Sequence, residues 1–363
     1  MHITELETPA LIVDLDIMER NLLRVADYAA KHHLRLRPHT KTHKIPALGR
    51  RQIELGAAGL TVAKVGEAEV MLSAEPPELL VAYPVIGDTK LKRLADVARR
   101  TRLTVALDSE YAARLLSEAA DASAVDVGVL AEVDAGFGRV GVSPGEELIA
   151  LVRSIQRLPR LTYEGVAFYP GHIRNLNGKD DAEFARIGAL LRSMLEELER
   201  HGMSPRIVSG GSTPSLFHSH ELEGLNEIRP GTYIFNDINT MLSKACALED
   251  CAASMLVTVV STARPGQIII DGGSKTFSSD GRISGKPGFG HVVEAPGAVF
   301  HKMNEEHGYV DVRECERQFS NGDRLRVIPN HICTAVNLHE RVYGIRGERV
   351  EEIWRVEGRG KLQ

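Results

Sequence analysis

Short apolar segments recur through the first two thirds of the chain, and this spacing constrains the fold more than any other feature. Nine segments are rich in apolar, often β-branched residues and are bounded by Gly, Pro or Asp, which is typical of buried strands. They are ALIVDL (10–15), LRLRPHT (34–40), GLTVAKV (59–65), ELLVAYPV (78–85), RLTVALD (102–108), VDVGVLAEVD (125–134), YEGVAFYPG (163–171), RIVSGG (206–211) and NEIRPGTYIF (226–235).

Helical patterns lie between most of these segments. One begins near Asp16, and a clearer one covers residues 180–201 and ends at Gly202. Strands that alternate with helices indicate a parallel sheet with crossover helices. If the first segment pairs elsewhere, the remaining eight predict an α/β fold built on a (β/α)8 TIM-type barrel. A doubly wound sheet is the alternative, although its usual GxGxxG motif does not follow the first strand.

The pattern changes near residue 243, where β-rich segments with Gly turns replace the alternation. One of them, VYGIRGERVEEIW, predicts a hairpin around Arg346 and Gly347. We therefore predict three parts: a first strand (1–15) that joins the β-rich domain, a barrel (16–243) and a C-terminal β-rich domain (244–363).

Composition excludes several classes of protein. The 363 residues carry a net charge of −5 and contain no apolar run long enough to cross a membrane. An acidic chain lacks the basic surface of a nucleic-acid binder, and the first residues do not resemble a signal peptide. We expect a cytoplasmic protein that does not bind nucleic acid or membranes. Its four cysteines suggest thiols or metal ligands, and its 14 histidines suggest acid–base or metal chemistry.

Two segments follow predicted barrel strands, where barrels build their active sites. RPHTKTHK (37–44) contains lysines, and a lysine amine can condense with an aldehyde, as in enzymes that use pyridoxal phosphate (PLP). A solvated basic loop or a phosphate anchor is the alternative. SGGSTPS (209–215) offers backbone N–H groups and hydroxyls to a phosphate, or it is simply a tight glycine turn.

Three further segments carry candidate residues. In AEVDAGFGRVG (131–141), Arg139 is suited to a ring nitrogen or a carboxylate, or to an ion pair that holds a turn. In PNHIC (329–333), His331 and Cys333 would share one face of a strand and suit zinc, unless Cys333 is simply a buried thiol. In EEHG (305–308), His307 is a possible acid or base, or part of a charged surface turn.

Taken together, these segments resemble the D-threonine aldolase and D-serine dehydratase family of PLP enzymes, which has the alanine-racemase-like fold. The resemblance extends over nearly the whole chain. The matching segments are TPALIVDLDIMERN (8–21), RPHTKTHK, TVAKVGEAE (61–69), EVDAGFGRVG, GGSTPS, RPGTYIFND (229–237), DGGSKTFSSD (271–280), EEHG and GDRLRVIPNHICTAVNL (322–338).

The resemblance implies a role for each candidate residue. Lys41 matches the Schiff-base lysine, whereas Lys44 does not. The other cofactor residues implied are Arg139 near the pyridine nitrogen, Tyr169 beside the cofactor, and Gly211, Ser212, Thr213 and Tyr233 at the phosphate. His331 and Cys333 match a divalent-metal pair for zinc or manganese, and the family also implies a homodimer.

The resemblance implies a lyase that acts on D-configured 3-hydroxy amino acids. His-x-Cys at the metal and the KTHK form of the lysine segment favour dehydration of D-serine-like substrates to a 2-oxo acid and ammonia, with Lys41 as the base. The main alternative is retro-aldol cleavage to glycine and an aldehyde, with a base such as His307 or a metal-bound hydroxide. Racemisation and a non-catalytic PLP-binding protein are more remote alternatives.

Overall fold

The structure is a computed structural model that describes residues 1–176 and 178–363. The chain folds into two compact units. The barrel unit comprises Arg24–Gly231 and Gly360–Gln363, and the β-rich unit comprises Met1–Leu23 and Thr232–Arg359. The predicted boundaries follow residues 15 and 243. The boundaries between the compact units follow Leu23, eight residues later than predicted, and Gly231, twelve residues earlier than predicted.

The strands of the first two thirds of the chain coincide with the apolar segments. They are β1 (Ala10–Asp14), β2 (Arg35–Leu36), β3 (Leu60–Val62), β4 (Glu78–Val81), β5 (Arg102–Leu107), β6 (Val127–Val133), β7 (Leu161–Phe168), β8 (Ile207–Gly210) and β9 (Glu227–Ile228).

The strands β2 to β9 form one parallel sheet in the order β2-β9-β8-β7-β6-β5-β4-β3. The two ends of this order are joined by a parallel bridge between His39 and Thr61 and by a hydrogen bond of 2.8 Å from Thr40 N to Thr61 O. The sheet therefore closes on itself. This confirms the predicted α/β fold with an eight-stranded parallel barrel.

Helices connect the strands of the barrel, and the first and the last of them lie where the two helical patterns predicted them. They are α1 (Leu15–Lys31), α2 (Pro46–Glu54), α3 (Val65–Met71), α4 (Asp88–Ala98), α5 (Glu110–Ala122), α6 (Glu146–Arg157) and α7 (Asp181–Arg200). Local signals set their ends: Pro46 opens α2, Ser109 accepts a hydrogen bond from Ala112 N at the start of α5, and Gly202 (φ +68°) follows α7.

The β-rich unit contains a mixed sheet. Its strands and short helices are α8 (Ile238–Leu242), β10 (Ala253–Arg264), β11 (Gln267–Ile270), α9 (Ser274–Phe277), β12 (Gly290–Val292), β13 (Val299–Met303), β14 (Gly308–Asp311), β15 (Arg324–Pro329), α10 (Ile332–Val336), β16 (Arg341–Arg346) and β17 (Arg349–Arg355).

The first strand of the chain belongs to this sheet. β1 pairs antiparallel with β10 and parallel with β16, and Ala10 and Ile12 pack against Leu256 and Ile345. β16 and β17 form the hairpin predicted around Arg346 and Gly347, with Gly347 at φ +55°. Among the described residues, no helix is long and apolar enough to span a bilayer.

Candidate functional site

The predicted cofactor residues of the barrel follow strands that are neighbours in the sheet. The order β2-β9-β8-β7-β6 places the segments of Lys41 (after β2), Gly211 (after β8), Tyr169 (after β7) and Arg139 (after β6) along one continuous arc. All of them leave the carboxyl ends of parallel strands, so they lie on the same rim of the barrel. Topology alone therefore gathers residues that are far apart in sequence.

Lys41 lies in a turn whose other residues are buried. Thr40, Thr42, His43 and Lys44 are each at most 5% exposed, whereas Lys41 is half-buried. The alternative of a solvated basic loop is therefore wrong for this segment. The turn presents one accessible lysine and keeps the second, Lys44, in the protein interior.

Two aromatic rings and two cations lie close together beside this turn. The Nζ of Lys41 is 5.9 Å from the centroid of the Tyr169 ring, and the Cζ of Arg139 is 4.7 Å from the same centroid. Phe137 meets Tyr169 edge to face at 5.6 Å and also lies 5.3 Å from the Arg139 guanidinium. The structure thus brings together Lys41, Arg139 and Tyr169, three of the predicted cofactor residues.

The glycine-rich turn that carries Arg139 is held by a carboxylate. Asp134 accepts hydrogen bonds from the backbone N–H groups of Gly136 (2.9 Å) and Gly138 (3.0 Å), and both glycines have positive φ. Asp134 therefore holds this turn, and an ion pair of Arg139 is not needed for that purpose. Asp134 shapes the loop, while the Arg139 guanidinium stacks on two rings.

Lys41, Arg139 and Arg229 lie near His39 on this rim of the barrel, and the two arginines also interact with the buried carboxylate of Glu132. Burial lowers the pKa of His39 well below its usual range, and the nearby Lys41, Arg229 and Arg139 lower it further. Arg229 is buried and donates to Ser209 Oγ and to the carbonyl of Phe168 (3.1 Å). A concentration of cations at the end of a barrel favours anionic ligands such as a phosphate or a carboxylate. No sequence pattern predicted a role for Arg229, although it lies in the matching segment RPGTYIFND.

The loop after β8 has the features of a phosphate cradle. Gly211 has φ +86°, and a Cβ at Gly210 would meet the Phe168 ring at 2.3 Å, so both positions require glycine. Ser212 and Ser215 share a contact of 3.2 Å between their hydroxyl oxygens. Thr213 Oγ1 is buried and lacks a hydrogen-bond partner within the described chain.

An unpaired buried hydroxyl is costly, so the Thr213 hydroxyl indicates a partner that the chain itself does not supply. A phosphate group on this loop would accept that hydrogen bond. Lys41 provides an amine for an aldehyde, and the surrounding cations complement a phosphate. The residues of the barrel rim therefore fit PLP.

The predicted metal pair occupies a different local structure from the one expected. β15 ends at Pro329, His331 precedes α10 as its N-cap residue, and Cys333 lies inside that helix. The premise that both side chains project from one face of a strand was wrong, because the chain turns into a helix after β15. The two side chains nevertheless interact, with a hydrogen bond between His331 and Cys333.

Asp237 explains this local structure, and sequence reasoning missed it. Its side chain is 1% exposed. One carboxylate oxygen accepts from Thr240 N (2.7 Å) at the start of α8, and the other accepts from Ile332 N (3.0 Å) at the start of α10 and from His331 Nδ1 (3.2 Å). The signal in the sequence was an Asp at the N-cap position before INTML.

The same contacts prepare His331 as a metal ligand. A carboxylate can only accept, so Nδ1 carries a proton, and Nε2 is the nitrogen on which a metal would take the place of the second proton. Cys333 raises the pKa of His331 to about 11, against the effect of burial, and Asp237 raises it further. An imidazole and a thiolate in contact are a donor set that suits zinc.

Among the described residues, no third protein ligand joins His331 and Cys333 to complete a metal site. In the part of the chain that the structure describes, no group of three His, Cys, Asp or Glu side chains is placed to hold a metal ion. Two protein donors are one fewer than the three of typical open catalytic zinc sites, so a metal held here would have water or substrate at its remaining positions.

Two further predicted residues, Tyr233 and His307, lie in the β-rich unit. Tyr233 is buried in a short 3-10 helix (Thr232–Ile234) that belongs to the β-rich unit, and its contact with a phosphate stays a prediction. His307 is exposed in the turn between β13 and β14, where its carbonyl accepts from Asn304 N (2.9 Å). Its predicted acid–base role also stays a prediction.

Comparison with known proteins covers nearly the whole chain. Residues 13–238 match the family described as "Alanine racemase, N-terminal domain", and residues 252–345 match a serine dehydratase domain. The chain is 32% identical to a 3-hydroxy-D-aspartate aldolase of Paracoccus denitrificans, over 99% of this chain and 94% of that protein. The crystal structure of a D-threonine aldolase from Filomicrobium marinum superposes with a TM-score of 0.93 at 33% identity, covering 99% of this chain and 98% of that one.

A dehydratase is similar to the chain to nearly the same degree. The chain is 31% identical to the D-threo-3-hydroxyaspartate dehydratase of Delftia sp., over 90% of this chain and 91% of that protein. Two solved variants of such a dehydratase replace a histidine and a cysteine by alanine, and the cysteine variant is in a metal-free form. The two replaced positions are two residues apart, as are His331 and Cys333.

Proposed function

The chain belongs to the alanine-racemase-like family that contains the D-threonine aldolases and D-serine dehydratases, and we propose that within it the chain is a PLP- and divalent-metal-dependent dehydratase of D-configured 3-hydroxy amino acids. Its proposed substrates are D-serine-like, and its products are a 2-oxo acid and ammonia. The observation that carries this proposal is the contact between His331 and Cys333 in the β-rich unit.

The metal pair supports dehydration because of its composition. His-x-Cys is the arrangement that the resemblance associates with dehydratases, and the dehydratase variants replace a histidine and a cysteine at that spacing. Thiolate and imidazole together favour zinc, with manganese as the alternative. Asp237 accepts from Nδ1 of His331 and so leaves Nε2 as the nitrogen for a metal.

The barrel rim supports PLP as the cofactor. Lys41 is the half-buried lysine of its turn, Thr213 has an unpaired buried hydroxyl, and Gly211 opens the loop to a phosphate. We propose that Ser212 and Tyr233 also hold the phosphate, that Tyr169 lies beside the ring and that Arg139 faces the ring nitrogen. When bound, PLP supplies an electron sink for the electrons at Cα of an amino acid.

Each protein group then has a defined task. Lys41, as a neutral amine, takes the α-proton of the substrate. The cations of the rim, Arg139 and Arg229, favour the binding of the substrate carboxylate through their charge. A divalent ion held by His331 and Cys333 would supply Lewis-acid stabilisation of a departing hydroxyl oxygen. D-Serine loses one water, and hydrolysis with one water then releases ammonia and leaves pyruvate.

Retro-aldol cleavage is the second candidate, and the relatives favour it. Aldolases are among the relatives at 32% and 31% identity, and the structure with a TM-score of 0.93 is an aldolase. In this reaction the α-proton stays and the bond between Cα and Cβ breaks. A base takes the proton of the β-hydroxyl, and His307 is the proposed candidate.

The test is a product assay on protein loaded with PLP and zinc or manganese. D-Serine should give pyruvate and ammonia at a rate that falls after chelation and recovers with metal, and L-serine should give neither. D-Threonine giving glycine and acetaldehyde as the main products would replace dehydration by aldol cleavage. Protein that binds PLP and turns over none of these, nor 3-hydroxy-D-aspartate, would be a carrier. We also expect a homodimer, which size-exclusion chromatography with light scattering would show.

A further inference from the structure

The turn that carries Lys41 is held in an uncommon backbone conformation. Lys44 has φ +57°, in the left-handed region that a lysine seldom adopts. Its backbone N–H donates to the carbonyl of Thr40 at 2.8 Å, so the chain closes tightly around Lys41. Such a conformation persists only where surrounding contacts hold it in place.

A buried ion pair supplies one of these contacts. The Nζ of Lys44 lies 3.1 Å from Glu67 Oε1, and the two side chains are 6% and 3% exposed. The other oxygen of Glu67 accepts a hydrogen bond of 2.8 Å from Ala63 N. Glu67 therefore connects the turn to the segment between β3 and α3.

The remaining side chains of the turn are anchored as well. Thr40 Oγ1 donates to the carbonyl of Thr61 at 3.1 Å, and His43 Nε2 lies 3.3 Å from Gln52 Oε1. Lys41 is the half-exposed residue between these buried neighbours. The direction of its side chain is thus determined by contacts that its neighbours make.

We propose that Lys44 and Glu67 are positioning residues for Lys41. Their ion pair fixes the turn in the conformation in which the Lys41 amine faces the cofactor and the α-carbon of the substrate. This inference rests on the proposed function, in which Lys41 is the reactive lysine. It also gives a reason for the second lysine of KTHK, which the sequence resemblance left without a role.

A purely structural role makes a different prediction. Removing one member of a buried ion pair leaves a lone charge and destabilises the fold, whereas replacing both members with apolar residues often restores stability. If the pair served stability alone, the double variant Lys44→Met with Glu67→Gln, which removes both charges but keeps an oxygen for Ala63 N, would regain both stability and reactivity. If it positions Lys41, the double variant regains stability but not the reactivity of Lys41.

The experiment compares that double variant and Glu67→Gln with Glu164→Gln as a matched control. Glu164 is also a buried carboxylate in the barrel, but it binds Arg102 (2.8 Å) and Arg206 near the amino ends of β5 and β8, on the opposite rim. All four proteins, including the wild type, are freed of PLP and mixed with it again. The rate at which the absorbance of bound PLP appears is measured, and borohydride reduction with peptide mapping locates the modified lysine.

We expect the wild type and Glu164→Gln to bind PLP at Lys41 at similar rates. Glu67→Gln and the double variant should do so about tenfold more slowly, and their kcat should fall while KM changes little. Equal rates in Glu67→Gln and Glu164→Gln would overturn the inference, as would recovery of the wild-type rate in the double variant. If Glu67→Gln does not fold, the double variant, which has no lone buried charge, decides the question. A wild type that binds no PLP at Lys41 would instead refute the proposed function.

Discussion

Replacing Asp237 by asparagine should weaken the metal site without touching either proposed ligand. The carboxylate accepts from four donors in two helix starts: Thr240 N, Thr240 Oγ1, Ile332 N and His331 Nδ1. An asparagine has one oxygen, which accepts, and one NH2 group, which donates. The donors of one of the two helix starts would therefore face the NH2 group instead of an acceptor. If the oxygen stays with Thr240, the NH2 group faces His331 and favours the tautomer whose proton is on Nε2.

The expected cost follows from the role of the hydrogen bond to His331. Loss of a partner that orients a metal-bound histidine typically weakens metal binding about 10- to 100-fold, or about 1.4 to 2.7 kcal/mol. Zinc affinity is measured by competition with a coloured chelator. Asp271→Asn is the control, because Asp271 is also in the β-rich unit and accepts from Thr258 N (2.8 Å) and Thr8 Oγ1 (2.5 Å). Equal zinc affinity in the wild type and Asp237→Asn would refute the reasoning.

Three other substitutions test the barrel. Lys41→Ala should abolish the absorbance of bound PLP, and an unchanged spectrum would disprove the assignment of Lys41. Thr213→Val should weaken PLP binding about tenfold, measured by fluorescence titration. It should also raise the free energy of unfolding of the PLP-free protein by about 1 kcal/mol, because it removes an unpaired buried hydroxyl. Urea unfolding measures that free energy, and a lower value than in the wild type would contradict the prediction. Burial lowers the pKa of His43 from 6.5 to about 4, because the folded protein favours the neutral imidazole. The free energy of unfolding is therefore highest above pH 6.5 and falls by about 3 kcal/mol as the pH decreases to 4. In His43→Asn this part of the pH dependence should disappear from urea unfolding curves, and an unchanged curve would show that His43 is not its source.

The barrel and its rim were predictable because they depend on local patterns and on topology. The apolar segments give the strands, and parallel strands gather their carboxyl ends on one rim, so Lys41, Tyr169 and Arg139 meet there. The contacts that hold the Lys41 turn were not predictable. They depend on Glu67 in a separate segment, which nothing in the local pattern of RPHTKTHK specifies.

The predicted metal pair, His331 and Cys333, lies in a local structure that the sequence did not predict. The two side chains interact as expected, but the expected strand is a helix start. Asp237 causes this difference from 94 residues earlier in the chain, by accepting hydrogen bonds from both His331 and Ile332. Helix ends that are held by distant side chains lie beyond what periodicity can show.

The choice between the two reactions depends on one bond of the substrate. Dehydration keeps the bond between Cα and Cβ, and aldol cleavage breaks it. Uniformly ¹³C-labelled D-threonine, followed by NMR with the PLP- and zinc-loaded protein, reports the fate of that bond in every molecule converted. We predict labelled 2-oxobutanoate with its four carbons still joined, whereas labelled glycine and acetaldehyde as the main products would contradict the proposed dehydration.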